Sequence, residues 1–568
     1  MKPMGISVWD CALGQLAAWS RHLVALGALT AVAATSLPCQ AAGDPFEELR
    51  QRIDQLERDN RKLQTALEPR GSTSPDSFLS VVPPAPVDEI ALNANDPQDN
   101  AEESEDERRI ANIVEKYLRR RPPEVNPVDD SQEQRISALQ NNVAGVLDRL
   151  NKKTLPSVAV SGVFQADTGF FNQDANSLHN YSHIQNGADF RRARLGAKGS
   201  LTETTNYFMQ MDFAFFGRPT FTDLWVEQKE VPILGTVRIG QWKQPFSLEV
   251  VSSFRYTTFM ERSLLFQSFD PFRHLGIGFY DNADDLSATW AASVFTTGQD
   301  QSGGSIANNG GIGTAERITW LPYWNEATKG TEYLHLGVGH FFNSPPNNTA
   351  TFKTIPELYI GSQAGNGAVV GTSGQAVPGS FNGTPPFVNT GALKTISQYN
   401  VLGTELLWVE GPLSVQSEAQ VNFVNQTGGN ATAVLPGAYA QVGYFLTGEH
   451  RPYDRKAGAI DRVIPFRNFG PWSCDCEHSG WGAWEIAGRW SYLDLNDHNI
   501  QGGAITDYTA GVNWYVNPYW KIVLNYVHSN ANAPQQVNGA GVFVGGTPGG
   551  PLLRSSTDMI ALRTQMDF

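Results

Sequence analysis

The basic side chains Arg191, Arg192, Arg194, Lys198, Arg238, Lys243, Arg255, Arg262 and Arg273 all fall between Asp189 and Arg273. Guanidinium and ammonium groups converging on one wet path can replace part of the hydration shell of a small anion. The same stretch carries Glu249, Glu261 and Asp270, so the cations could instead pair with acids and pin a loop. Adjacent Glu261 and Arg262 read as such a pin. Other chemistry is thin. Cys474 and Cys476 in WSCDCEHSGW could form a strained disulfide in an oxidising compartment. With His478 they supply too few ligands for a metal. No Ser-His-Asp set, carboxylate pair or phosphate-cradling Gly loop can be assembled, so neither enzyme nor cofactor is expected.

What positions the cations is a chain with 17% charged and 11% aromatic residues and 54 Gly. No apolar run of eighteen or more residues occurs beyond the N-terminal region, which excludes spanning helices. From residue 154 to 568 the hydrophobic period is two, which points to an all-β fold. Strands are expected near 157–169, 188–201, 204–216, 220–230, 235–243, 275–283, 286–297, 312–321, 331–343, 396–410, 413–426, 433–448, 481–495, 505–517, 519–531 and 557–568. Short turns alternate with the long connections 170–187, 244–274, 344–395 and 532–556. That alternation predicts a transmembrane antiparallel β-barrel of about sixteen strands in a bacterial outer membrane. The connection 449–480 is long, yet strand parity places it at the periplasmic end, among the short turns. The last strand, ending at Phe568, has the amphipathic alternation of an outer-membrane assembly signal.

The lipid face of such a strand must be apolar, which sorts its side chains. In Phe190–Gly199, Ala193, Leu195 and Ala197 face lipid, and Arg192, Arg194 and Lys198 face the lumen. Arg191 has outward parity and belongs near the rim. Arg238 faces inward, and Lys243 opens the loop 244–274. That loop is long enough to fold inside a barrel too wide to be filled by its own side chains.

Before the barrel, residues 1–41 read as a signal peptide: Lys2 and Arg21 precede an apolar stretch ending near Cys39-Gln40-Ala41. Residues 42–68 are expected to form a short coiled coil, with Phe46, Ile53, Asn60 and Leu67 in one core position and Leu49, Leu56 and Leu63 in the other. Residues 69–105 are an acidic, Pro-rich linker, and 106–153 carry helices. This extension is expected in the periplasm, where it could trimerise the protein or tether it to the cell wall. Residues 42–153 carry 23 acids and 16 bases, and 154–568 carry 33 and 24. Both parts are therefore acidic, which gives no reason to expect a nucleic-acid partner. It also means that any anion preference is local to the basic stretch.

FRRARLGAKG (190–199), MQMDFA (209–214), RIGQWKQPFSLE (238–249), SSFRYTTFMERS (252–263), DPFRHLGI (270–277), YFLTGEHRPY (444–453) and GAWEIAGRWSYLDL (482–495) resemble the phosphate-selective porin O and P family. The resemblance covers roughly residues 157–568. It implies a sixteen-stranded barrel in outer-membrane lipid, usually a homotrimer, with a constricting third loop and a ladder of Arg and Lys for small inorganic anions, phosphate among them. It assigns ladder roles to Arg191, Arg192 and Lys243.

Overall fold

A computed structural model of the chain describes residues 154–214, 220–297, 310–360, 384–470, 480–534 and 552–568. The expected signal peptide, coiled coil, linker and N-terminal helices lie outside these residues, as do Cys474 and Cys476.

Sixteen antiparallel strands close into one barrel in sequence order. They are β1 (Ala159–Gln173), β2 (Gly187–Ser200), β3 (Thr205–Asp212), β4 (Thr220–Val231), β5 (Gly235–Lys243), β6 (Arg273–Asn282), β7 (Ala288–Thr296) and β8 (Ile312–Trp324). The circle continues through β9 (Glu332–Ser344), β10 (Ile396–Glu410), β11 (Leu413–Gln426), β12 (Ala433–Phe445), β13 (Ala483–Asp497), β14 (Ile500–Asn517), β15 (Trp520–Pro534) and β16 (Leu552–Asp567). β16 pairs back onto β1, so no edge strand is left and every ladder hydrogen bond is made within the wall. All sixteen expected strands are present. β14 and β16 start earlier than the alternation suggested, because their outer ends keep pairing beyond the region where one face must be apolar.

The side chains are sorted inside out relative to a soluble protein. Leu195 is 49% exposed on β2 while neighbouring Arg194 is 9% exposed. Ile239, Ile318, Val338 and Ile486 point outward, whereas Glu227, Arg317, Glu405 and Glu485 are buried inside. Exposed apolar groups around a polar interior are what a bilayer demands.

Short turns such as 201–204, 232–234, 411–412 and 518–519 share one end of the barrel, periplasmic in this architecture. Between β5 and β6, residues 244–272 carry two short helices, α2 (Leu248–Val251) and α3 (Leu264–Ser268), following α1 (Ala175–Tyr181) between β1 and β2. The 244–272 segment meets inward-facing side chains across the barrel. Glu418 of β11 accepts the Leu248 and Glu249 N–H groups at 3.1 and 3.0 Å. Asn513 of β14 donates to the Thr258 carbonyl, and Lys521 of β15 donates to that of Thr257. Phe246, Leu264, Leu265 and Phe269 from this segment pack with Phe352 and Phe387 from the β9–β10 connection and with wall residues Phe295, Phe341, Val424 and Leu493. Each such side chain contributes about 1.5–3 kcal/mol by leaving water, enough to hold chain that has no ladder of its own.

The connection between β12 and β13 also turns inward, from the short-turn end. Its ribbon pairs Tyr453–Asp454 with Ala459–Ile460. Arg451 reaches the Thr258 hydroxyl at 3.0 Å and pairs with Glu485. The Tyr453 hydroxyl meets His335 Nδ1 at 2.7 Å, Gly458 O accepts from Arg317 at 2.8 Å, and Ile460 N donates to Ser252 Oγ at 3.1 Å.

Candidate functional site

Strand β2 holds the densest cations, and its register decides where they point. Gln165 of β1 pairs with Arg192 and the next residue, Ala166, with Phe190. Arg191 is thus the extra residue of a β-bulge. Strict alternation put it outside. The bulge turns it in, where its Nε and Nη2 contact Glu261 Oε1 and Oε2 at 2.9 and 3.0 Å. Its guanidinium also lies 4.7 Å from the Tyr359 ring. A second bulge, between the Gln210–Asp223 and Met211–Phe221 pairs, makes Thr222 the extra residue, and next to it Asp223, opposite Gln210, accepts from Arg273 at 2.9 Å.

Most of the expected cations have acid partners. Arg194 Nε meets Asp212 at 2.7 Å. Arg238 meets Glu227 at 2.6 Å, stacked 4.0 Å from Trp225 and hydrogen-bonded to Tyr280. Arg255 lies 3.6 Å from Asp567. Lys198 shares the inward register and is exposed. The Glu261–Arg262 pin does not form. Glu261 binds Arg191 and Arg563 instead, while Arg262, the next residue, donates to main-chain carbonyls.

Lys243 and Arg262 have no carboxylate at ion-pair distance among the described residues. Lys243 Nζ donates to the Val251 and Ser252 carbonyls at 3.1 and 2.8 Å. Arg262 donates to the Glu249 and Ser252 carbonyls at 2.6 and 3.0 Å and stacks 4.6 Å from Phe266. One main-chain oxygen, that of Ser252, therefore serves two cations. Arg273 lies opposite Lys243 across the β5–β6 ladder. Arg194 Nη1 and Arg192 Nε are buried without an acceptor. Phe254 lies between Arg192 and Arg194, 4.4 and 4.7 Å from their guanidiniums. The cations of β2, β5 and β6 thus gather with the 244–272 segment along one wall.

Several participants were not singled out in the sequence. Arg563 binds Asp167 at 2.7 and 2.6 Å, and Glu261 at 2.7 Å. Arg317 holds Glu405, Arg489 holds Glu357, and Arg451 holds Glu485. Inward parity marks Arg563, Arg317 and Arg489, but parity names no partner. Among the described residues no group of three or more His, Cys, Asp or Glu gathers to hold a metal.

The sequence signature of the phosphate-selective porin O and P family matches residues 158–568. The chain belongs to that family. As a porin it resides in the outer membrane, and both family and barrel are those of channel proteins. Porin O of Pseudomonas aeruginosa is 24% identical over 410 residues, which span 67% of this chain and 85% of Porin O. An uncharacterised protein of Caulobacter vibrioides is 25% identical over 354 residues, 60% of this chain and 62% of that protein. Among solved structures, the anion-selective porin from Comamonas acidovorans aligns at TM-score 0.42 and 12% identity, covering 72% of this porin and 99% of that chain. The trimer form of OmpT from Vibrio cholerae aligns at 0.42 and 8%, covering 73% and 100%.

Proposed function

We propose that this porin passes small inorganic anions, phosphate among them, by passive diffusion along the basic wall, and that residues 244–272 narrow the path there. The observation that carries this reading is the charge balance around Lys243. Arg273 lies opposite it across the β5–β6 ladder and Arg262 shares the Ser252 carbonyl with it, while Asp212 and Asp223 pair with Arg194 and Arg273. Three guanidiniums against the two carboxylates that pair with this group leave local positive charge inside an acidic protein. Main-chain carbonyls satisfy Arg262 without neutralising it, so its charge still acts on a passing anion. The contacts of 244–272 with Glu418, Asn513 and Lys521 support its role as the constriction. Three copies would assemble as the family resemblance implies.

Reversal potentials in planar bilayers under a KCl gradient test the reading. Anion selectivity is expected, decreasing when Arg194 and Lys243 are replaced by Gln. Cation selectivity in the unmodified protein refutes it.

A further inference from the structure

Three guanidiniums converge on one carboxylate in the barrel interior. Glu261 Oε1 accepts from Arg191 Nε at 2.9 Å and from Arg563 Nη2 at 2.7 Å. Glu261 Oε2 accepts from Arg191 Nη2 at 3.0 Å, with Arg192 Nη2 4.0 Å away. The commitments of the three differ. Arg563 has every donor nitrogen engaged, since Asp167 takes Nε and Nη2 and the Met260 carbonyl takes Nη1. Arg191 is bidentate on Glu261. Arg192 has only neutral Gln165 as a close acceptor, at 2.7 Å, and its buried Nε has none. The three arginines face two carboxylates, Glu261 and Asp167, so one positive charge is in excess and Arg192 is its least compensated holder.

We infer that Glu261 acts as the resident counter-ion of this arginine group. An anion passing Arg191 and Arg192 competes with the Glu261 carboxylate for their donors, and Glu261 thereby sets how long the pathway holds it. The inference rests on the anion-passing reading above. Its physical basis is that conduction needs a site attractive enough to enter and weak enough to leave. Arginines with no resident carboxylate would bind a phosphate through several charge-assisted hydrogen bonds and release it slowly. Glu261 belongs to the 244–272 segment and not to the wall, so this brake is carried by the loop while the arginines are carried by β2 and β16.

The test is block of single-channel chloride current by inorganic phosphate in the unmodified porin, in Glu261→Gln, and in Glu227→Gln as a reference in which Arg238 is the one guanidinium released, alongside neutral Tyr280 and Asn206. Gln keeps the shape and an acceptor oxygen and removes the charge. The half-blocking phosphate concentration is expected to fall about tenfold in Glu261→Gln and much less in Glu227→Gln. No tightening in Glu261→Gln, or an equal shift in the reference, overturns the inference while leaving the anion pathway standing. A cation-selective unmodified channel that phosphate does not block refutes both. Should Glu261→Gln fail to assemble, Asp167→Asn tests the same balance. Arg563 is then free to draw Glu261 from Arg191 and Arg192, and phosphate block tightens; weaker block counts against the inference.

Discussion

The first and last strands meet at a seam whose strength can be worked out from its side chains. Asp167 of β1 lies directly opposite Arg563 of β16, as Gln165 lies opposite Gln565. Arg563 Nε and Nη2 both donate to Asp167, and the pair is buried, at 2% and 3% exposure. Replacing Arg563 by Met leaves the buried Asp167 carboxylate uncompensated, which costs about 3–5 kcal/mol. Glu261 also loses a donor, but its two contacts with Arg191 remain, so most of the loss comes from Asp167. A double replacement, Arg563→Met with Asp167→Asn, removes the stranded charge and is expected to recover all but about 1–2 kcal/mol. The assay is urea-dependent unfolding in lipid vesicles followed by tryptophan fluorescence, run as a double-mutant cycle. A single-variant loss below about 1 kcal/mol, or a double variant no better than the single, refutes the reasoning.

Three further outcomes follow from local features. Asp270, in the 244–272 segment, has its carboxyl raised by burial, with Glu249 adding to the effect, to about 7 from the usual 3.8. Chloride selectivity, measured with a permeant ion that does not titrate, is therefore expected to fall as pH rises through 7, and Asp270→Asn abolishes that step. The same proton stabilises the folded porin fully below the ordinary carboxylate range, and its contribution is lost as pH rises through about 7. Gly240 has φ +134°, and a Cβ there would lie 2.2 Å from the Leu224 carbonyl, so Gly240→Ala is expected to lower urea stability by about 1–3 kcal/mol. Tyr453→Phe strands buried His335 Nδ1, at about 1–3 kcal/mol, and residues 449–463 become more open to protease added from the periplasmic side.

The wall of this barrel was legible because each strand answers two solvents. Leu195 against Arg194, or Ile486 against Glu485, reveals both faces within two residues. Arg191 was misplaced by the same rule, since a bulge adds a residue without changing the hydrophobic pattern on either side. Partner choice was less legible. Arg262 sits beside Glu261 in the chain but donates to carbonyls of 249 and 252, while Glu261 is claimed by Arg563, 302 positions away. Such closures depend on how a loop without periodicity is packed. The connection after β12 illustrates the point: parity gave its end of the barrel, and only its contacts with Thr258, Arg317 and Ser252 show its path.

The bulge at Arg191 also bears on how such a wall can be edited. In a plain strand, inserting one residue reverses every side chain beyond it, sending charges toward lipid and apolar groups toward water. Here Phe190 stays outside, Leu195 stays outside, and an additional cation has appeared between them on the wet side. A lumen group can thus be gained or lost by a single-codon insertion or deletion, with the bilayer-facing lettering unchanged. Porins with the same outer face can in this way differ in the number of charges they show a solute, and length variation of one residue within strands becomes a place to look for altered permeability.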